Sequence, residues 1–79
     1  MKKKDIEKIL KAWFYKKKKR FISNKNLFDE GVIDSFEVIE FISYVEEKFK
    51  IKFKSHEFQN PKFMIIKNII NLIEKKISV

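Results

Sequence analysis

Three segments of this chain carry apolar residues at helical spacing, and this pattern limits the fold more than any other feature. The residues of the three stripes are Ile6, Ile9, Leu10, Trp13 and Phe14; Ile39, Ile42, Val45 and Phe49, widened by Phe36, Val38 and Phe41; and Ile66, Ile69, Ile70, Ile73 and Ile77. Steps of three and four residues place side chains on one face of an α-helix. One Gly and one Pro leave little to interrupt such helices. The pattern predicts three principal amphipathic helices.

Local residues indicate where these helices begin. Asp5 is a plausible N-cap for the first helix, which the basic run of residues 16–20 should end. Asp34, followed three residues later by Glu37, has the form of a capping box for the second helix. Asn60 before Pro61 resembles a start for the last helix. Residues 55–58 are expected to form a brief helical turn.

The segment between the first two helices, residues 21–33, is long and contains six apolar residues. Such a loop is expected to fold back over the core. Its Gly31, the only glycine, should mark a backbone conformation that side chains resist. The predicted fold class is therefore all-α: a small bundle of three principal helices plus one short helix, with a long first loop. We expect a single domain over residues 1–79.

Charge is distributed unevenly along the sequence. The chain has a net charge of +8, yet residues 29–47 hold seven carboxylates and no Lys or Arg. The residues before this segment sum to +9 and those after it to +6. A surface without positive charge in so basic a chain predicts a docking face for cationic partners.

The basic flanks raise an alternative, a small nucleic-acid-binding helical domain that uses residues 16–20 and the C-terminal lysines. Eighteen of the nineteen basic residues are Lys, however. Proteins that recognise bases in the DNA grooves favour bidentate contacts from Arg, and this chain has Arg20 alone. A solvated helix end, or the codon bias of an A/T-rich genome, explains the lysines as well. We therefore disfavour nucleic acid as a partner. A helical interaction module without a prosthetic group is a third alternative.

Several other classes of protein are disfavoured. Without cysteine there is no disulfide framework or thiolate metal site, which fits a reducing compartment. Charged residues interrupt any signal-peptide core after the N-terminal lysines, and no apolar run approaches a membrane span. We predict a cytoplasmic protein. His56 has no second His or Cys to form a metal site, and no polar residue is placed to activate a nucleophile at Ser35. An enzyme is not predicted.

The segment Leu27-Phe28-Asp29-Glu30-Gly31-Val32-Ile33-Asp34-Ser35-Phe36 resembles the modification site of acyl and peptidyl carrier proteins, in which Gly-x-x-Asp-Ser precedes an acidic second helix. The resemblance extends strongly to Ile51 and more weakly to the end of the chain. The residues of this segment, together with Asn60-Pro61-Lys62-Phe63, are most similar to those of stand-alone carriers such as the D-alanyl carrier proteins.

This resemblance implies a carrier whose Ser35 receives 4'-phosphopantetheine from a phosphopantetheinyl transferase. The arm would hold an acyl or aminoacyl group as a thioester for loading ligases and acyl-transferring enzymes, in fatty acid or secondary-metabolite biosynthesis. By the same resemblance, Asp34 assists engagement with the transferase and its metal. Partner contacts would come from Glu37, Glu40, Glu46 and Glu47. The cargo and the pathway stay open.

The sequence departs from the family pattern in three ways. Family members are usually acidic overall, whereas this chain is basic. Lys50 stands where a Gly commonly follows the second helix, so a left-handed conformation there would cost about 1 kcal/mol. Phe36 replaces the more frequent Leu beside Ser35, which bears on partner preference.

Overall fold

The computed structural model describes residues 1–78 and contains four helices. They are α1 (Lys3–Lys16), α2 (Ser35–Phe49), α3 (Ser55–Phe58) and α4 (Ile66–Ile77). No strand occurs in this part of the chain. The predicted all-α bundle of three principal helices and one short helix is therefore confirmed. None of these helices has the length and apolar character needed to cross a membrane.

The first helix begins earlier than its sequence suggests. Lys2 is the N-cap of α1 and provides no side-chain hydrogen bond. The prediction that Asp5 is the N-cap is wrong: Asp5 lies in the first turn of α1. A carboxylate is also favourable there, because the helix dipole is positive at its N-terminus. At the other end, Lys17 is the C-cap and Lys18 has a positive φ of 57°.

The core is formed by α1, α2 and α4 together with residues of the long loop. Its fully buried side chains are Ile6, Leu10, Phe14, Leu27, Phe41, Val45, Ile66, Ile69 and Ile73. Phe14 packs edge-on against Trp13, Phe21 and Phe41, with ring centroids 5.2 to 5.4 Å apart. The Tyr44 hydroxyl donates a hydrogen bond of 2.8 Å to the Ile9 carbonyl and so links α2 to α1.

The apolar stripe predicted for α2 is partly wrong. Phe41, Ile42, Val45 and Phe49 are buried, but 84% of Phe36 and 68% of Ile39 are exposed. The apolar positions of α2 surround more of the helix than one packing face can cover. The helical period therefore turns Phe36 and Ile39 toward solvent when Phe41 and Val45 face the core.

The long loop folds over the core as predicted. Leu27, Val32 and Ile33 are buried, and the Leu27 N–H donates to the Met64 carbonyl at 2.9 Å. Gly31 has a φ of +69°, which confirms the expected left-handed conformation. This path brings the chain to the first residue of α2.

The prediction that Asn60-Pro61 starts the last helix is wrong. Residues 61–64 form turns, and α4 begins only at Ile66. The Asn60 Oδ1 accepts a hydrogen bond from the Lys62 N–H at 2.9 Å, so this asparagine organises a turn. The same side-chain chemistry serves turns and helix starts, and sequence alone does not separate them.

The short helix α3, over residues 55–58, is confirmed. Phe58 packs against Phe53 and Phe63, with centroids 6.0 and 5.2 Å away. The Lys76 Nζ lies 3.0 Å from the Glu57 Oε1 and ties α4 to α3. Burial would raise the pKa of Glu57, but hydrogen bonds from the Lys54 N–H and from Lys76 outweigh it and lower the pKa.

Candidate functional site at the opening of α2

The opening of α2 is fixed by reciprocal hydrogen bonds between Asp34 and Glu37. The Asp34 Oδ1 accepts from the Phe36 N–H at 3.0 Å and from the Glu37 N–H at 2.9 Å. The Glu37 Oε1 accepts from the Asp34 N–H at 3.0 Å. This is the predicted capping box, and it holds Ser35 as the first residue of the helix.

Ser35 is exposed, and no hydrogen bond within residues 1–78 engages its hydroxyl. It lies in the first turn, where the helix dipole favours negative charge. A phosphodiester formed on its oxygen would therefore be placed in a favourable field and within reach of a partner enzyme.

Two large apolar side chains lie beside this serine on the outer face of α2. They are Phe36, the next residue, and Ile39, one turn further along. Sequence reasoning missed this exposed pair, because both residues were assigned to the buried stripe. Large apolar groups that lie side by side in solvent are typical of a surface that another molecule covers.

Two of the four glutamates predicted to contact partners are paired with lysines of the same chain. The Lys19 Nζ lies 2.6 Å from the Glu37 Oε2, and the Lys17 Nζ lies 2.8 Å from the Glu40 Oε2. The hydrogen bond from Lys19, reinforced by the Asp34 N–H, lowers the pKa of Glu37 below its ordinary value of 4.5. Segments with opposite charge in the sequence are thus brought together by the fold.

The other two glutamates differ from each other. The Glu46 Oε2 accepts a hydrogen bond of 2.9 Å from the Phe53 N–H, and the Lys52 Nζ lies 3.9 Å from its Oε1. Glu46 therefore helps to hold the connector after α2. Glu47 is exposed and forms no ion pair with any residue up to Ser78.

The basic run also holds the loop that leads to Ser35. The Lys19 Nζ donates to the Val32 carbonyl at 2.9 Å, and Arg20 donates to the Glu30 carbonyl at 3.3 Å. Lys19 is partly buried and is therefore not simply a solvated helix end, whereas Arg20 is exposed. Local sequence contained no indication of the contacts, since they depend on the path of the loop.

The sequence was compared with models of known protein families. The model described as phosphopantetheine attachment site matches residues 5–63, most of the chain. The protein belongs to this family. The predicted resemblance to carrier proteins is confirmed, while the D-alanyl subdivision stays a prediction. Comparisons with curated proteins and with solved structures found no match.

The family carries 4'-phosphopantetheine covalently on a serine, so the predicted cofactor is confirmed at the level of the family. The site fits this group, because Ser35 offers an exposed hydroxyl at the positive end of a capped helix.

No group of three His, Cys, Asp or Glu residues suited to a metal ion occurs in residues 1–78. His56 is exposed on α3, apart from the proposed chemistry.

Proposed function

We propose that Ser35 is the attachment serine of a single, stand-alone carrier domain over residues 1–79. The exposed Ser35 hydroxyl, held in the first turn of α2 by the Asp34 cap, carries this proposal. Bound there, 4'-phosphopantetheine supplies the thiol that holds an acyl or aminoacyl group as a thioester. The chain itself binds, orients and delivers this arm.

Other serines within the matched residues are poorer candidates. Ser43 lies in the interior of α2 rather than at its N-terminus. Ser55 is also the first residue of a helix, but α3 has only four residues and its N-cap is Lys54. A single turn has a weak dipole, and a lysine beside it offers no carboxylate to a transferase. Of the serines in residues 5–63, Ser23 included, only Ser35 is exposed in the first turn of a long, acid-capped helix.

Asp34 is proposed to serve the transferase as well as the helix. Its Oδ1 is occupied by two backbone N–H groups. Its Oδ2 makes no hydrogen bond to any residue of the described chain and is open to a metal ion or a cation of the transferase. The Asp34 carboxylate would therefore both fix the position of Ser35 and bind the modifying enzyme beside it.

The proposed partners are a phosphopantetheinyl transferase, an acyl- or aminoacyl-loading ligase and acyl-transferring enzymes. The protein is proposed to act as a carrier and not as an enzyme. Asp34, the ionisable neighbour of Ser35 in sequence, caps α2 through its Oδ1 and makes no hydrogen bond with the Ser35 hydroxyl that would activate it. Of the glutamates proposed as contacts, Glu37, Glu40 and Glu46 have partners within the chain, whereas Glu47 is exposed and pairs with none of the described residues.

Intact mass spectrometry tests the proposal. After incubation with coenzyme A and a broad-specificity transferase, the protein is expected to gain the mass of one phosphopantetheinyl group. Ser35→Ala should abolish the gain, whereas Ser43→Ala and Ser55→Ala should retain it. An unchanged mass of the wild-type protein, or a gain that survives Ser35→Ala, would contradict the proposal. Mass analysis of protein isolated from its native cell would identify the cargo.

A further inference from the structure

The sequence of α2 is acidic, but the two glutamates of this helix nearest to Ser35 are paired with lysines of the same chain. Glu37 and Glu40 are each within hydrogen-bond distance of a lysine from the basic run. Exposed Lys16, Lys18 and Arg20 belong to the same run and add further positive charge nearby. A partner with a cationic docking surface would therefore meet little net attraction here.

These lysines are held in place by more than one contact. Lys19 donates both to Glu37 and to the Val32 carbonyl, and its side chain is only 18% exposed. The Lys17 Nζ lies 5.9 Å from the centroid of the Trp13 ring in addition to its contact with Glu40. A cation of a partner enzyme would therefore meet carboxylates whose charge is already paired with a lysine, and its net attraction to them would be small.

The outer face of α2 also presents exposed apolar surface beside Ser35. Phe36 and Ile39 are the most exposed large apolar residues of α2, and they lie next to Ser35 on one side of the helix. Any enzyme that reaches the Ser35 oxygen must approach this pair. Burying them removes apolar surface from water and requires no rearrangement of the ion pairs.

We propose that enzymes acting on Ser35 recognise this carrier by apolar contact with Phe36 and Ile39, and that Lys17 and Lys19 neutralise α2 against cationic docking surfaces. The inference rests on the proposed attachment at Ser35. The partner it fits has an apolar depression and few cations opposite α2. The carrier would therefore bind only weakly to enzymes that dock through Lys and Arg.

The rate of phosphopantetheinylation by a broad-specificity transferase tests the apolar part. Ile39→Ser is expected to lower kcat/KM about tenfold, as for a central interface residue. The matched control is Tyr15→Ser, which removes a side chain that is 87% exposed on α1. This control should change kcat/KM by less than about twofold, since it removes no apolar contact beside Ser35.

The charge part is tested by salt dependence. Between about 50 and 300 mM NaCl, the wild-type kcat/KM should change by less than about twofold. Lys17→Gln frees Glu40 and should make the rate higher at low salt and more sensitive to salt than in the control Lys16→Gln. Circular dichroism confirms that each variant is folded.

The inference is overturned if Tyr15→Ser reduces kcat/KM as much as Ile39→Ser, or if the wild-type rate falls steeply with salt. It is also overturned if Lys17→Gln and Lys16→Gln behave alike. These results would leave the attachment at Ser35 intact. A wild-type protein that gains no mass would instead refute the attachment itself, and the inference with it.

Discussion

The two ends of α2 are held in different ways. At the N-terminus, side chains satisfy the backbone: Asp34 and Glu37 exchange two hydrogen bonds, and the Asp34 carboxylate accepts a third from the Phe36 N–H. At the C-terminus, Lys50 adopts the left-handed conformation, with φ 56° and ψ 45°, and its N–H donates to the Glu46 carbonyl. Glycine usually takes this role because it has no Cβ.

Burial explains why the C-terminal end tolerates this conformation. A left-handed non-glycine residue costs about 1–2 kcal/mol, whereas burial of a phenylalanine contributes about 1.5–3 kcal/mol. Phe49, the residue before Lys50, is buried. At the other end, Asp34, Ser35 and Phe36 are all exposed, and directional hydrogen bonds fix the first turn after the buried Ile33. Positional accuracy is therefore supplied by capping where the serine lies, and by packing at the opposite end.

Among the changes considered for the two ends of α2, removal of the N-terminal cap should have the largest effect on the free energy of unfolding. We expect Asp34→Ala to lower the free energy of unfolding by about 1 kcal/mol, within a range of about 0.5–2 kcal/mol, because two first-turn N–H groups lose their acceptor. Urea denaturation of the unmodified protein measures this change.

Two variants separate capping from charge. Asp34→Asn retains a side-chain acceptor and should stay within about 0.5 kcal/mol of the wild type. Asp29→Ala removes an exposed carboxylate from the preceding loop and should cost less than Asp34→Ala. Equal losses in Asp34→Ala and Asp29→Ala would show that the cap does not hold this end.

The cap was predictable from sequence because its partners are three residues apart. The four-helix fold was predictable for a similar reason, since helical periodicity is local. The outward orientation of Phe36 and Ile39 was not, because α2 has more apolar positions than its packing face can bury. The contact between Lys17 and Glu40 spans 23 residues and depends on how the loop returns. Local patterns therefore located Ser35, but not the electrostatics and apolar surface around it.

Relieving the conformation of Lys50 should strengthen the C-terminal end. We expect Lys50→Gly to raise the free energy of unfolding by about 0.5–1 kcal/mol, because the gain from removing the Cβ exceeds the extra entropy of glycine in the unfolded chain. Lys50→Ala retains the Cβ and serves as the control, with no comparable gain. Equal gains in both variants would assign the effect to the lysine side chain instead. Urea denaturation compares the three proteins.

The smallest effect should be a dependence of stability on acid pH at the N-terminal end. Hydrogen bonds from Lys19 and the Asp34 N–H hold the pKa of Glu37 below its ordinary value of 4.5. Because the folded pKa is the lower one, the stabilisation is complete above the ordinary value and is lost as pH falls through the folded pKa. Between about pH 6 and pH 3, the Tm of the wild type should fall further than that of Glu37→Gln.

Glutamine at this position can still accept the hydrogen bond from Asp34, so Glu37→Gln removes the charge while the capping box is retained. Acidification also increases the positive charge of the whole chain, and this repulsion acts on the wild type and the variant alike. Glu47→Gln removes one carboxylate from the same helix and controls for the change in net charge. If Glu37→Gln and Glu47→Gln show the same loss of Tm on acidification, the pair between Lys19 and Glu37 does not stabilise the end of α2 that carries Ser35.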